Sequence, residues 1–373
     1  MLRLLTLNLQ HAQLGALAPA PAGPGADPRD PRAAREVLVA LAGQLAALGP
    51  DVIALQEVDL GQARSGRLNQ VAELASALGW THHRLAATYA GGVTGLRRRP
   101  RRSGLRRRGD DVLGPALAAA GRPLAGFGNA LISRYPVAAW HVRRLGRGPA
   151  LLTRRGGGVA GRGQLRAALD PRSYRLETST ARVLLAAQVS LPTGVLPGAG
   201  GLAVGSTHLA TRPDVAAAQL AGAWAALTRL PGPHALAGDL NLRPEEVRSL
   251  GVGRLLGEGP TYPADGPRYR IDHVLTDPWP LDAHGQPLVP GPRDAGGAGW
   301  SGAGSASAVP GAAGAVPGTA GWSDVGGVVP GVGGVPAGAP SPGVHLVARD
   351  WGSTTLLVSD HAATWVDLET VGA

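Results

Sequence analysis

An α/β protein, with sheets packed on each other and helices outside, is the fold class this sequence predicts. Three observations carry that expectation. Helix and strand patterns alternate early in the chain, and strand patterns dominate later. The stretch "DVIALQEV" is short and almost continuously apolar, as a strand covered on both faces requires. Several apolar strands end or break at polar residues, and the ends of buried strands are where α/β folds gather functional groups.

Taken in order, residues 2–9 read as a first strand and the Ala/Pro/Gly-rich residues 15–32 as a loop. In residues 33–48 the spacing of Leu38, Leu41, Leu45 and Leu48 predicts one apolar helical face, stopped by Gly49-Pro50. A second helix is expected over 68–78, with Gly79 as its C-terminal cap. Residues 91–125 read as an irregular insertion with eight arginines between 97 and 108. Strands return at "GNALISRYPV", "ARVLLAAQVSL" and "LAVGSTHLA". A helix opens at Pro213 with Leu220, Trp224 and Leu227 on one face, followed by strands at "HALAGDLNL" and "RIDHVLTD". Residues 291–343 are Gly, Ala, Pro, Val and Ser with three charged residues, so they cannot bury enough surface to offset their ordering entropy and read as a disordered loop. The final "TTLLVSDHAATWVDL" reads as core strand interrupted by Ser359, Asp360 and His361. Together these readings make residues 1–373 one domain with insertions at 15–32, 91–125 and 291–343.

The 373 residues are 44% hydrophobic and carry a formal charge of +10. Every basic residue is arginine, as GC-rich coding favours, so the charge is weaker evidence than usual for a polyanion partner. The arginine run has no interleaved aromatic residues to stack bases, so a solvated loop competes with a phosphate-binding arm. With no cysteine, disulfides, thiolate metal sites and cysteine nucleophiles are excluded. "MLRLLTLNLQ" reads as a strand rather than a signal peptide, and no stretch approaches the ~18 apolar residues of a membrane span. A cytoplasmic monomer is the expectation.

The polar residues at strand ends are Asn8, Glu57, His208, Asp239, Asn241, Asp272 and His273, with Asp360 and His361 in the last interruption. Singly, Glu57 reads as a solvated rim, His208 as a satisfied core histidine, and Asp239 with Asn241 as turn residues before Pro244. Together they form a coherent set. Asn8, Glu57, Asp239, Asn241 and Asp360 are oxygen donors, which suit hard divalent ions such as Mg²⁺ or Mn²⁺. His208 and His361 can supply acid, base or positive charge, and such a combination suits phosphate-ester hydrolysis. His273 receives no role, because alternation points it away from Asp272. His11, His82 and His83 belong to no constellation.

The ordered motifs "TLNLQ", "ALQEV", "GNALISRYPV", "STHLA", "AGDLNLRP", "TYP…RIDHVL" and "VSDH" resemble the endonuclease/exonuclease/phosphatase superfamily. That resemblance implies a deoxyribonuclease-I-like four-layer α/β/β/α sandwich with two antiparallel or mixed sheets. It also implies one divalent-metal site for phosphodiester or phosphomonoester hydrolysis. By the same resemblance Asn8, Glu57 and Asp360 are metal ligands. Asp239 and Asn241 position the nucleophile and the phosphate, and His208 supports the phosphate oxygens. His361 is the general base and Asp272 orients it, while Asn129 and Arg182 bind substrate. Gln10 stands where some members carry an acid, which leaves one or two metals open, and Tyr174 is a candidate for the family's tyrosine.

The resulting expectation is a Mg²⁺- or Mn²⁺-dependent hydrolase of phosphate esters, nuclease-like, with nucleic acid among the candidate partners. A phosphatase or phospholipase acting on an inositol phosphate or a sphingomyelin-like head group is the alternative, since one scaffold hosts all of these. A non-catalytic binding module, or a scaffold using the low-complexity loop, is a third class.

Overall fold

The computed structural model describes residues 1–15, 18, 21, 23, 25–93, 100, 125–148, 181–288 and 344–372, with the backbone of 151–154 and 174–177. In chain order the elements are β1 (Leu2–Asn8), α1 (Pro31–Ala47), β2 (Val52–Leu60), α2 (Gln70–Ala77), β3 (His82–Ala90), β4 (Gly126–Ser133), β5 (Val137–Gly146), β6 (Leu151–Arg154), β7 (Tyr174–Glu177), β8 (Arg182–Ser190), β9 (Gly201–His208), α3 (Pro213–Leu227), β10 (His234–Asp239), α4 (Pro244–Ser249), β11 (Arg254–Leu256), β12 (Asp272–Thr276), β13 (Val344–Thr354) and β14 (Ala363–Gly372). Most of the 91–125 insertion, the arginine run and all of 291–343 lie outside the described residues, as does part of 15–32.

Two six-stranded sheets result, ordered β13-β14-β1-β2-β4-β3 and β11-β12-β10-β9-β8-β5, with β6 and β7 as a separate hairpin. Within each sheet the central pair is parallel, β1 with β2 and β9 with β10, while the other pairs are antiparallel. A parallel pair needs a crossover connection, and α1 and α3 supply it. The two sheets face each other through a core that includes Leu2, Leu4, Val52, Val183, Leu185 and Val366. Helices α1 and α2 cover the other face of the first sheet, with Leu38, Leu41, Leu45, Val71 and Leu74 against Leu5, Ile53 and Leu85. Helix α3 covers the second sheet with Leu220, Trp224 and Leu227. The architecture is therefore the four-layer α/β/β/α sandwich.

Strand β2 is buried at every position but Glu57, because helices cover one of its faces and the second sheet the other. Helix α1 starts two residues earlier than its apolar pattern predicts. The Asp30 carboxylate accepts hydrogen bonds from the backbone N–H groups of Arg32 and Ala33, and Pro31 occupies the first turn. Asn69 caps α2 in the same way, through Ala72 N. Each fully buried leucine on these helices contributes about 1.5–3 kcal/mol.

Two strand readings change. "GNALISRYPV" is not one strand: β4 ends at Ser133 in the first sheet and β5 begins at Val137 in the second. The Ser133 hydroxyl donates to Tyr135 O and accepts from Tyr135 N, a tight turn that carries the chain across the sandwich. In the last motif β13 stops at Thr354, so Leu356, Leu357 and Val358 are buried in a connecting loop rather than in a strand. Among the described residues no helix is long and apolar enough to cross a membrane.

Candidate active site

Register brings the polar strand ends into one row. Asn8 pairs with Gln56 across the parallel β1–β2 ladder, which sets it beside Glu57. Opposite, His208 pairs with Asp239, and Asp239 pairs with Asp272. Asn8 Nδ2 donates to Asp239 Oδ2 at 3.0 Å and so ties the two sheets together at this edge.

Local backbone devices aim these side chains. Glu57 has φ +52° and sits where the β2–β4 register shifts, between Leu55 and Val58. That bulge turns one carboxylate out of an otherwise buried strand. Gly238 has φ +150°, and a Cβ there would fall 1.9 Å from Thr207 O, so only glycine lets β10 approach β9 this closely before Asp239. Asn241 follows at φ +51°, a conformation asparagine tolerates. Its N–H donates to Asp239 Oδ1 at 3.0 Å and its Nδ2 to Leu209 O at 3.1 Å. The turn role of this pair and its place in the site thus coexist, because Asp239 Oδ2 stays directed at Asn8 and His208.

The loop before β14 is held by the first strand. Ser359 has φ +78°; its hydroxyl donates to Asn8 O at 2.6 Å and accepts from His361 N at 3.0 Å. Gln10 Oε1 accepts from Asp360 N at 3.1 Å. His361 Nδ1 then lies 2.9 Å from Asp272 Oδ2, which also accepts from Thr261 Oγ1 at 2.7 Å. The Tyr262 ring packs on the imidazole, centroids 4.8 Å apart. His361 Nε2 faces Asp239 Oδ2 and Asp360 Oδ1, each at 3.9 Å.

Electrostatics separate the two histidines. Burial alone would lower the His361 pKa, but the Asp272 hydrogen bond and the charges of Asp272, Asp239 and Asp360 raise it to about 9. His208 has no such partner. Burial, then Arg182 and His361, hold its pKa well below the usual histidine range, so it is neutral. Its contacts to Asp239 Oδ2 at 3.3 Å and Glu57 Oε1 at 3.7 Å are therefore not ion pairs. Burial and the neighbouring Asp272 charge raise the Asp239 pKa, against the opposing pull of His361. Burial also lowers the Arg182 pKa, although Asp239 and Glu57 draw it back.

Asn8, Asn129, His208, Asp239, Asp272 and His361 are all buried, Glu57, Asn241 and Arg182 are partly so, and Asp360 stands at the more exposed rim. The Asn129 amide donates to Val183 O at 2.8 Å, so it braces the backbone beside Arg182. The Tyr174 side chain lies outside the described residues. His273 is a core histidine whose Nε2 meets Leu242 O at 2.8 Å. Thr261 and Tyr262 receive no role from sequence reasoning, although both lie in the "TYP" motif that could have pointed to them. Next to Glu57 and Arg182 a cleft of about 270 Å³ opens, lined also by Arg64, Thr88, Tyr89, Val93 and Phe127.

Asp239, Asp272 and His361 offer ligand atoms within 4.8 Å of one another and could hold a metal ion. Much of that set is already engaged, since Asp272 Oδ2 and His361 Nδ1 bond each other and Asp239 Oδ1 bonds Asn241 N. Asp272 Oδ1, buried without a partner, is its open donor. The Glu57 carboxylate, partly open to solvent and touching His208 only at 3.7 Å, is less engaged. Oxygen donors in this number fit a hard divalent cation.

The family model described as Endonuclease/Exonuclease/phosphatase family matches residues 5–361. Among solved structures, an endonuclease/exonuclease/phosphatase from Beutenbergia cavernae is 18% identical with TM-score 0.47, covering 98% of this chain and 71% of its own. An endonuclease/exonuclease/phosphatase family protein from Bacteroides thetaiotaomicron is 11% identical with TM-score 0.47, covering 98% and 94%. A mannosyl-6-phosphatase from Bacteroides thetaiotaomicron is 10% identical with TM-score 0.47, covering 99% of both chains. No curated protein matches the chain.

Proposed function

Since the chain belongs to the endonuclease/exonuclease/phosphatase family, we propose that it is a metal-dependent phosphoesterase, nuclease-like, that hydrolyses phosphodiester bonds. The observation that supports this most is the Asp272–His361 pair, with Nδ1 engaged and Nε2 turned toward Asp239. Asp272 fixes the Nδ1–H tautomer, so Nε2 is the basic atom once the ring is neutral. Nε2 takes the proton of the attacking water, and Asp272 stabilises the imidazolium that forms. Asp239, oriented by Asn8 and Asn241, holds that water in line. His208 Nδ1, buried 3.7 Å from Glu57 Oε1, has no hydrogen-bond partner and is the ring atom left to serve a non-bridging phosphate oxygen. It donates there once the anion offsets the burial that keeps the ring neutral, a contribution of about 2.7–4 kcal/mol by analogy with oxyanion donors. Arg182, braced by Asn129, adds positive charge on the same side. Mg²⁺ or Mn²⁺ held by Asn8, Glu57 and Asp360 would neutralise charge on the phosphate oxygens and the leaving group.

The test is a substrate panel of plasmid DNA, abasic oligonucleotide, sphingomyelin, inositol phosphates and bis(p-nitrophenyl) phosphate, each with Mg²⁺, Mn²⁺ or EDTA. Hydrolysis of bis(p-nitrophenyl) phosphate and DNA, lost in EDTA, is expected. Turnover of none of the panel with either metal overturns the reading. Turnover of a lipid or sugar phosphate alone replaces the nuclease with a phospholipase or phosphatase.

A further inference from the structure

The Asp272–His361 pair is held from a third segment, residues 261–264, which the proton transfers above leave without a part. The backbone of this segment brackets the histidine. Ala264 N donates to Asp360 O at 2.7 Å, and Ala362 N donates to Thr261 O at 2.8 Å, so the residues on both sides of His361 are bonded to it. The Tyr262 ring then packs on the imidazole, centroids 4.8 Å apart. Thr261 N in turn donates to Tyr269 O at 2.7 Å, which anchors the segment to the chain leading into β12.

The buried Thr261 side chain reaches the other partner. A hydroxyl has two lone pairs and one proton. The lone pairs of Thr261 Oγ1 are taken by Asp272 N at 3.2 Å and Ile271 N at 3.3 Å. Its one proton is left for Asp272 Oδ2, at 2.7 Å. The carboxylate needs that bond. The terminal torsion of an aspartate is broad and roughly two-fold, so the plane of the carboxylate must be fixed from outside. Asp272 Oδ1 has no hydrogen-bond partner to fix it. His361 Nδ1 is the group to be oriented and cannot also be the anchor. Among the described residues, the Thr261 hydroxyl is the one other side-chain donor to Asp272.

We infer that Thr261 is a positioning residue of the reaction: its hydroxyl proton holds the Asp272 carboxylate in the plane that aims His361 Nε2 at the attacking water. It acts only through Asp272, and it has a reaction to serve only if the phosphoesterase reading holds. A purely structural threonine would close the turn between Thr261 and Tyr269 and leave the orientation of the carboxylate unaffected.

Thr261→Val removes the hydroxyl at nearly constant shape, and Thr261→Ser keeps it. In hydrolysis of bis(p-nitrophenyl) phosphate, Thr261→Val should lower kcat about 10-fold, inside the ~10²-fold that a 1 Å misplacement can cost. KM should stay within about twofold of wild type. Thr261→Ser should recover most of that loss. In an Asp272→Asn background, Thr261→Val should cost almost nothing further, because the carboxylate it orients is gone. A second readout needs no turnover. In EDTA the His361 Nδ1 proton, recognised as the far-downfield NMR signal missing from His361→Ala, should broaden or vanish in Thr261→Val and persist in Thr261→Ser. Thr261→Ala is read in the same way if circular dichroism shows that Thr261→Val does not fold. An unchanged kcat, an equal loss in the Asp272→Asn background, or an unmoved proton signal overturns the inference. A wild type that hydrolyses nothing sinks the phosphoesterase reading instead, and the proton signal still decides whether Thr261 orients the pair.

Discussion

His361 holds its proton because carboxylates surround it, and that sets what its variants should do. With Asp272 on Nδ1, the ring should titrate near pH 9 in metal-free protein, followed by imidazole NMR. Asp272→Asn should bring that titration down. The folded pKa exceeds the unfolded value of about 6.5, so the linked stability is fully present below about pH 6.5 and is lost as pH rises through the folded value. As a base, His361→Ala should lower hydrolysis of bis(p-nitrophenyl) phosphate by about 10²–10⁴-fold with the fold intact by circular dichroism. Glu57 can be tested without turnover. Saturating Mg²⁺ should raise the melting temperature of wild type, as about 2.7 kcal/mol at a hundredfold excess over Kd requires, and Glu57→Gln should blunt the rise. At this scale the sequence exposes what punctuates an apolar run, which is why Asn8, Glu57, His208, Asp239, Asp272 and His361 stand out. Thr261 and Tyr262 do not, because they sit in a Pro- and Gly-rich hairpin where polarity is ordinary. Their contacts to Asp272 and His361 exist only in three dimensions. Nor does sequence show that the Asn129 amide turns inward, since that depends on which sheet β8 joins.

Between strands, β10 leaves no room for a side chain beside β9 at Gly238, where a Cβ would fall 1.9 Å from Thr207 O. Gly238→Ala should therefore destabilise the protein by at least about 2 kcal/mol, because strained φ and a clash with Thr207 O act together. A urea midpoint shift measures it, and a midpoint unchanged from wild type would mean the strands can part without penalty. The helices were legible because leucine spacing agrees with the stops at Gly49-Pro50 and Gly79, but the starts set by Asp30-Pro31 and Asn69 lie two residues from those the pattern predicts. The strand breaks at Arg134–Pro136 and after Thr354 were not legible. In both places apolar residues continue past the end of the strand, and a turn decided by side-chain hydrogen bonds or by the opposing sheet moves the chain elsewhere. Periodicity reports which faces are buried, and it is silent on which sheet buries them.

Across the whole molecule, the sandwich joins its halves through Asn8 and Asp239, so the site forms only where the two sheets dock. The layer order was legible from strand–helix alternation, but the strand order was not, because β14 reaches back to pair with β1. The reading of one domain with insertions makes a prediction here. Replacing residues 291–343 by a short Gly/Ser linker should leave stability unchanged or raise it by at most about 2 kcal/mol, since shorter loops close at lower entropic cost. A fall in melting temperature would mean that the segment packs. The β1–β14 pairing also has a consequence for synthesis. Leu2 to Thr6 pair with residues 364–368, so β1 lacks one neighbour until those residues are made. At about 5–20 residues per second that wait is roughly 20–70 s. Throughout it, an apolar strand edge beside β2 is open to any other nascent chain, and the histidine opposite Asp272 has not yet been translated. The growing polypeptide must therefore be shielded at β1 until β14 is made, and it can acquire its chemistry only once His361 has been added.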